Sequence, residues 1–169
     1  SYGKQSIDKS DIEAVIDVLE GDWLTQGPAV ETFEDNLKSY FGSKHSCVVA
    51  NGTAALHLCA LALGVNSNSK VITTPISFAA SSNCVLFCGG EVDFVDIEPA
   101  SVTLDLVELE KKLAQSKKNE FCGIIAVNFA GYPLNTEKLR KVADKYNLWI
   151  IEDACHSPGA SFLDSNQIN

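Results

Sequence analysis

The sequence predicts an α/β fold, a three-layer α-β-α arrangement around a mainly parallel sheet. Two observations carry this. From residue 46 onward, short apolar runs alternate with stretches of helical length and pattern, the order of successive β-α-β units. The runs themselves, such as Val71-Ile72-Thr73-Thr74 and Leu148-Trp149-Ile150-Ile151, are continuous rather than alternating. Strands read this way when helices cover both faces of the sheet. At 169 residues the chain is long enough for one domain with a sizeable core.

Ser10-Asp11-Ile12-Glu13 has the form of a capping box, and Ile12, Val15, Ile16 and Leu19 follow at helical spacing until Gly21. A short irregular piece, Asp22-Trp23-Leu24-Thr25-Gln26-Gly27, leads to Pro28, a residue suited to a first helical position. Val30, Phe33, Leu37 and Phe41 give a second stripe, closed by Gly42. Residues 1–42 thus read as an N-terminal helical segment and 43–169 as a partial α/β domain. Strands are expected at 46–50, 71–74, 92–95, 122–127 and 148–151, with helices at 53–63, 78–88, 105–113 and 136–146. The helix at 53–63 is apolar almost all round, so a central place is expected for it. Residues 116–120 read as a polar loop, and the last residues, Leu163 to Asn169, as an unfinished turn.

Composition narrows the function classes. Hydrophobic residues make up 46% and charged residues 21%, as in ordinary globular proteins. The net charge of −9 and the lack of any basic run argue against nucleic acid as a partner. No run reaches the roughly 20 apolar residues that cross a bilayer, and the N-terminus has no apolar signal core, so a cytoplasmic location is expected. Six cysteines (Cys47, Cys59, Cys84, Cys88, Cys122 and Cys155) occur without a Cys-x-x-Cys pair, mostly within apolar runs. They read as small hydrophobes of a reduced protein, with neither a metal site nor a disulfide framework expected.

Five positions could carry chemistry. Gly52 and Thr53 lie between a strand and a helix, where a glycine lets backbone approach a ligand and helix N–H groups favour a phosphate. The same residues also fit a tight turn and an ordinary N-cap. The segment is neither a Walker loop nor a Gly-x-Gly-x-x-Gly fingerprint. Asp153 ends a buried strand, where open α/β sheets place ligands. An ionised carboxylate there needs a cationic or hydrogen-bonding partner, and either a pyridinium N–H or neighbouring backbone amides would serve. Phe78 follows Thr73-Thr74-Pro75-Ile76-Ser77 at the opening of a helix and fits either a ring-stacking or a core role. His156 fits a ligand contact, a partner for Asp153, or a plain loop residue. Taken together, a phosphate cradle, a ring stacker and a strand-end acid are the parts that hold pyridoxal 5′-phosphate, whose electron-sink chemistry depends on an acid beside its ring nitrogen.

With these motifs the chain resembles the N-terminal part of the DegT/DnrJ/EryC1/StrS family of sugar aminotransferases. The resemblance covers nearly the whole sequence. It rests on Leu24-Thr25-Gln26-Gly27-Pro28, Asn51-Gly52-Thr53-Ala54-Ala55-Leu56-His57, Thr74-Pro75-Ile76-Ser77-Phe78, Val95-Asp96-Ile97 and Glu152-Asp153-Ala154-Cys155-His156-Ser157-Pro158-Gly159-Ala160. It implies the large domain of the aspartate-aminotransferase fold (fold type I). It also implies pyridoxal 5′-phosphate as cofactor, with Gly52 and Thr53 at its phosphate, Phe78 on its ring, Asp153 at its ring nitrogen and His156 near its phenolic oxygen. Tyr2-Gly3-Lys4-Gln5-Ser6-Ile7 and Asp22-Trp23-Leu24-Thr25 are most similar to the branch that aminates UDP-linked 4-keto-6-deoxy-N-acetylhexosamines at C4, in pseudaminic acid and cell-envelope polysaccharide synthesis. By that resemblance Tyr2, Asp22, Trp23, Leu24 and Thr25 border the nucleotide-sugar pocket, glutamate is the amino donor, and the protein is a homodimer.

One departure follows. The family's Schiff-base lysine lies in a Ser-Phe-x-x-x-Lys segment beyond the matched Gly159-Ala160. No lysine of this sequence aligns with it, so the resemblance puts the anchor beyond Asn169. The 169 residues are therefore expected to lack a catalytic residue and the C-terminal small domain, and to be inactive alone. Sugar dehydratases of the same family, a non-catalytic remnant that kept the pocket, and a flavodoxin-like phosphate binder remain as alternative readings.

Overall fold

Parallel pairing follows from the order in which apolar runs and helices alternate. The computed structural model describes residues 4–161. Its strands are β1 (Lys70–Thr73), β2 (Glu91–Phe94), β3 (Gly123–Val127) and β4 (Trp149–Asp153). Its helices are α1 (Lys9–Glu20), α2 (Pro28–Phe41), α3 (Gly52–Ala62), α4 (Ala80–Phe87), α5 (Leu106–Gln115) and α6 (Thr136–Tyr146). The turn expected at the end of the sequence, Leu163 to Asn169, lies outside the described residues. The sheet order is β2-β1-β3-β4, with every neighbouring pair parallel. The chain runs outward from β1 to β2 and then returns to β3 on the other side of β1. That reversal makes a switch point between β1 and β3, with their C-terminal ends opening on a crevice.

The pleat sorts side chains into two cores, because successive residues of a strand face opposite ways. Ile72, Ile124 and Ala126 pack with Leu109 and Leu113 of α5 and Leu139, Val142 and Ala143 of α6. Val71, Ile125 and Ile151 pack on the opposite face with Leu56 and Ala60 of α3 and Ala80, Cys84 and Val85 of α4. Ile72, Ile124 and Ile125 are wholly buried, each contributing about 2 kcal/mol by leaving water. Close packing also dictates Gly123. It stands opposite Trp149 in the β3–β4 register, and a Cβ there would lie 2.2 Å from the Trp149 indole.

By internal contacts the chain forms two units, one ending at Val49 and one starting at Ala50. In the first, the capping box uses other residues than Ser10 and Glu13. Asp8 is the N-cap, its carboxylate accepting from the Ser10 and Asp11 N–H groups, while Asp11 accepts from the Asp8 N–H. Asp8 outcompetes Ser10 because a carboxylate makes stronger charge-assisted bonds to the free helix N–H groups. Pro28 opens α2, and Gly42 closes it in the left-handed conformation at φ 63°. The apolar stripes of α1 and α2 hold no buried residue.

Two further expectations are corrected. Residues 46–50 form no strand among the described residues; the Val48 N–H is taken by the Glu34 carboxylate at 2.8 Å rather than by a neighbouring strand. Helix α3 is not enclosed: Leu56 and Ala60 are buried, while Leu58, Leu61 and Leu63 are exposed. Only one of its faces meets the sheet and α4. Among the described residues, no helix is long and apolar enough to cross a membrane.

Replacing Gly123 by alanine is expected to destabilise the chain by about 3 kcal/mol, by overpacking against the indole. Thermal or urea unfolding checks it, and in a Trp149→Ala background the same Gly123→Ala change should cost much less.

Candidate functional site

The C-terminal ends of β3 and β4, the turn after β1 and the first turn of α3 enclose a cavity of about 410 Å³. Gly52, Thr53, Phe78, Asp153 and His156 all line it. Five positions separated by up to about a hundred residues in sequence thus meet in one place.

The first turn of α3 leaves donors available. Asn51, not Thr53, is the N-cap, with its side-chain oxygen accepting from the Ala54 N–H at 2.9 Å. The Ala55 N–H bonds the Asn51 carbonyl. The Gly52 and Thr53 N–H groups, and the Thr53 hydroxyl, have no acceptor among the described residues. Three donors at the positive end of a helix dipole can hold an anion. A Cβ at Gly52 would lie 3.0 Å from the Cys155 Sγ, so a glycine lets the loop after β4 close against this turn.

Asp153, the last residue of β4, is 6% exposed. Its Oδ2 accepts a 2.6 Å bond from the Ser81 hydroxyl, and its Oδ1 a longer one, 3.3 Å, from the Cys155 N–H. No lysine, arginine or histidine pairs with it among the described residues. A buried carboxylate with only neutral donors and no cation among the described residues is poised for a cationic ligand. Phe78 lies before α4 rather than within it and is 73% exposed. That exposure sets aside the core reading and leaves a flat apolar surface on the cavity wall.

The loop after β3 crosses the loop after β4. Asn128 is buried, donating to Glu152 at 2.7 Å and to Ser157 at 2.9 Å and accepting from the Leu134 N–H at 3.0 Å. Ala130 and Gly131 take left-handed conformations, and a Cβ at Gly131 would lie 2.9 Å from the His156 carbonyl oxygen. The crossing sets the Phe129 and His156 rings edge to face, 6.3 Å between centroids.

Ser77, Ser81, Asn128, Phe129 and Cys155 join the site without being singled out by sequence reasoning. Asn128 carries the same signal as Asp153, a polar residue ending a buried strand. Ser81 gives none beyond a hydroxyl in an apolar helix. Tyr2 and Asn169 both lie outside the described residues, so the structure bears neither on the first as a pocket residue nor on a lysine anchor beyond the second. Asp22, Trp23, Leu24 and Thr25 belong to the first unit, in the bends between α1 and α2, with Trp23 and Leu24 exposed. Their turn is tight: a Cβ at Gly27 would lie 2.7 Å from the Trp23 Cβ.

The sequence profile of the DegT/DnrJ/EryC1/StrS aminotransferase family matches residues 5–167. The chain belongs to this family. A relative in Campylobacter jejuni, a UDP-4-amino-4,6-dideoxy-N-acetyl-beta-L-altrosamine transaminase, is 39% identical over 162 residues, covering 96% of this chain and 42% of the relative. Among solved structures, the Helicobacter pylori aminotransferase PseC, involved in pseudoaminic acid biosynthesis, superposes with a TM-score of 0.85 at 31% identity, covering 99% of this chain and 44% of that one. A GDP-4-keto-6-deoxymannose-3-dehydratase superposes with a TM-score of 0.87 at 25% identity, covering 98% and 43%. The chain spans about two fifths of the length of the curated relatives it matches.

Within this family member, Cys155 reports on Asp153. Its thiol is pushed up to about 11, first by hydrogen bonding to the Asp153 carboxylate and then by burial. Although the residue is exposed, only a small fraction is thiolate at neutral pH, and the thiolate is the nucleophile. Alkylation of Cys155 is therefore expected to rise with pH up to about 11. Asp153→Asn should shift that profile toward the ordinary thiol range, as read by mass spectrometry of iodoacetamide-treated protein.

Proposed function

We propose that the chain forms the cofactor-holding part of a pyridoxal 5′-phosphate-dependent nucleotide-sugar aminotransferase. The observation that carries this reading is the buried Asp153 carboxylate, without a cationic partner among the described residues, facing a cavity also lined by the α3 N-terminus and an exposed aromatic ring. The residues present fit the cofactor's three parts. The Gly52 and Thr53 N–H groups and the Thr53 hydroxyl would hold the phosphate, Phe78 would lie along the ring, and Asp153 would keep a proton on the ring nitrogen. His156, on the cavity wall, is proposed to meet the phenolic oxygen.

When bound, pyridoxal phosphate supplies an electron sink through which an amino group is exchanged between an amino acid and a keto sugar. What the chain contributes is orientation and charge. Phe78 and the α3 terminus fix the plane and one end of the ligand, and limiting its freedom lowers the entropic part of the barrier. Asp153, in a poorly hydrated place, favours the protonated ring through direct charge attraction. Among the described residues no lysine lines the cavity, so these residues hold and tune the cofactor without supplying a covalent anchor. The anchor is proposed to lie beyond Asn169 in the longer protein, and the 169 residues alone to bind cofactor without turning over substrate.

The Campylobacter jejuni relative points to a UDP-linked 4-keto-6-deoxy-N-acetylhexosamine as substrate, with glutamate as donor. Tyr2 and Asp22 to Thr25 are proposed to border its pocket. We also propose a homodimer. Leu58 and Leu61 of α3 and Leu86 and Phe87 of α4 are each about half exposed or more, apolar side chains that a second copy would cover. Light scattering tests this; a monomer at micromolar concentration would contradict it.

Two measurements test the main reading. Full-length protein supplied with glutamate and the UDP-4-keto sugar should yield a UDP-4-amino sugar and 2-oxoglutarate by mass spectrometry. Loss of a hydroxyl from the sugar without amine gain would instead place the protein with the dehydratases. Pyridoxal phosphate should bind the chain, with Asp153→Asn and Phe78→Ala each weakening binding by about tenfold or more, on the order of one buried charged or stacking contact.

A further inference from the structure

Asp153 is not the last group in its hydrogen-bond chain. The Ser81 hydroxyl donates to Asp153 Oδ2 at 2.6 Å, and the Ser77 hydroxyl lies 2.6 Å from that of Ser81. Ser81 is wholly buried on the first turn of α4. A hydroxyl has one proton to give. Ser81 gives its proton to the carboxylate, so Ser77 is the donor in the second link, where the 2.6 Å contact to Ser81 is shorter than its alternative, the Phe78 carbonyl at 3.1 Å. The chain of donors therefore runs from Ser77 through Ser81 to Asp153. Ser77 directly precedes Phe78, so one short relay ties the aromatic wall to the acid.

The two oxygens of Asp153 are consequently unequal. Oδ2 is engaged by a short bond from a buried hydroxyl. Oδ1 receives a 3.3 Å contact from the Cys155 N–H, a distance at the weak end of the range, and the Cys155 thiol beside the carboxylate is a weak donor that a ring N–H would displace. We infer that Ser81 is a positioning residue: it clamps Oδ2, fixes the plane of the carboxylate, and leaves Oδ1 to take the N–H of a bound pyridinium ring. A fixed carboxylate plane spares the ligand the cost of ordering it. This inference rests on the proposed cofactor.

The test compares two ligands on the full chain by equilibrium fluorescence titration: pyridoxal 5′-phosphate and its 1-deaza analogue, in which carbon replaces the ring nitrogen. The wild-type chain should bind pyridoxal phosphate the more tightly. Ser81→Ala should weaken pyridoxal phosphate about tenfold, the worth of one charge-assisted bond, and the deaza analogue less than about twofold. Ser81→Thr, which keeps the hydroxyl, should restore the preference. Binding of the deaza analogue shows that the Ser81→Ala chain is folded. Equal losses for both ligands, or no loss for either, would overturn the role of Ser81 while leaving the cofactor reading intact. A wild-type chain that does not distinguish the two ligands would instead overturn Asp153 as the ring partner, and Ser81's role with it.

Discussion

A carboxylate held out of water without a cation is the constraint on which the rest of the site depends. Removing the solvent shell from an ionised Asp153 is costly unless something compensates. Ser81 and the Cys155 N–H compensate in part. The remainder would be met by a positively charged ligand, as the proposed cofactor requires. The position follows from sheet topology. β4 delivers Asp153 to the cavity edge, β3 delivers Asn128 beside it, and the reversal at β1 keeps that edge open.

The supporting parts work by restricting alternatives. Asn128 uses three hydrogen bonds to lock the loop after β3 to Glu152, Ser157 and Leu134. Gly131 and Gly52 are needed because other chain segments pass too close for a Cβ. Gly123 does the same under Trp149, and so sets the β3–β4 register that carries Asp153. The ion pairs lie away from the cavity. Lys70, at the start of β1, bridges Asp93 of β2 and Glu120, and Lys112 of α5 joins Asp93. Such half-exposed pairs are worth about 1 kcal/mol or less each. The fold rests on its two apolar cores, and the site rests on hydrogen bonds.

Much of this is legible in the sequence, for identifiable reasons. Helix α6 is readable at both ends because Leu139, Val142, Ala143 and Tyr146 mark one face and an Asx residue precedes it. The buried strands are readable because a sheet covered on both faces demands unbroken apolar runs. Residues 46–50 mislead for the same reason, since an apolar run shows a preference for burial but not a pairing partner. Asp8 is hidden as the cap of α1 because Ser10 and Glu13 satisfy the same spacing rule. Helix α3 looks central because it is apolar all round, yet burial depends on what stands opposite. At the site, Asp153 and Gly52 can be found from their places at element ends. Ser81 cannot, because its role exists only where β4 meets α4.

The most direct test of the central claim is the protonation state of the ring nitrogen. ¹⁵N NMR of ring-labelled pyridoxal 5′-phosphate bound to the chain reads it without reference to turnover. The account predicts a protonated nitrogen across the neutral range in the wild type, and loss of that proton when Asp153 is replaced by alanine. An unprotonated nitrogen in the wild-type complex, or a proton that persists in Asp153→Ala, would contradict it.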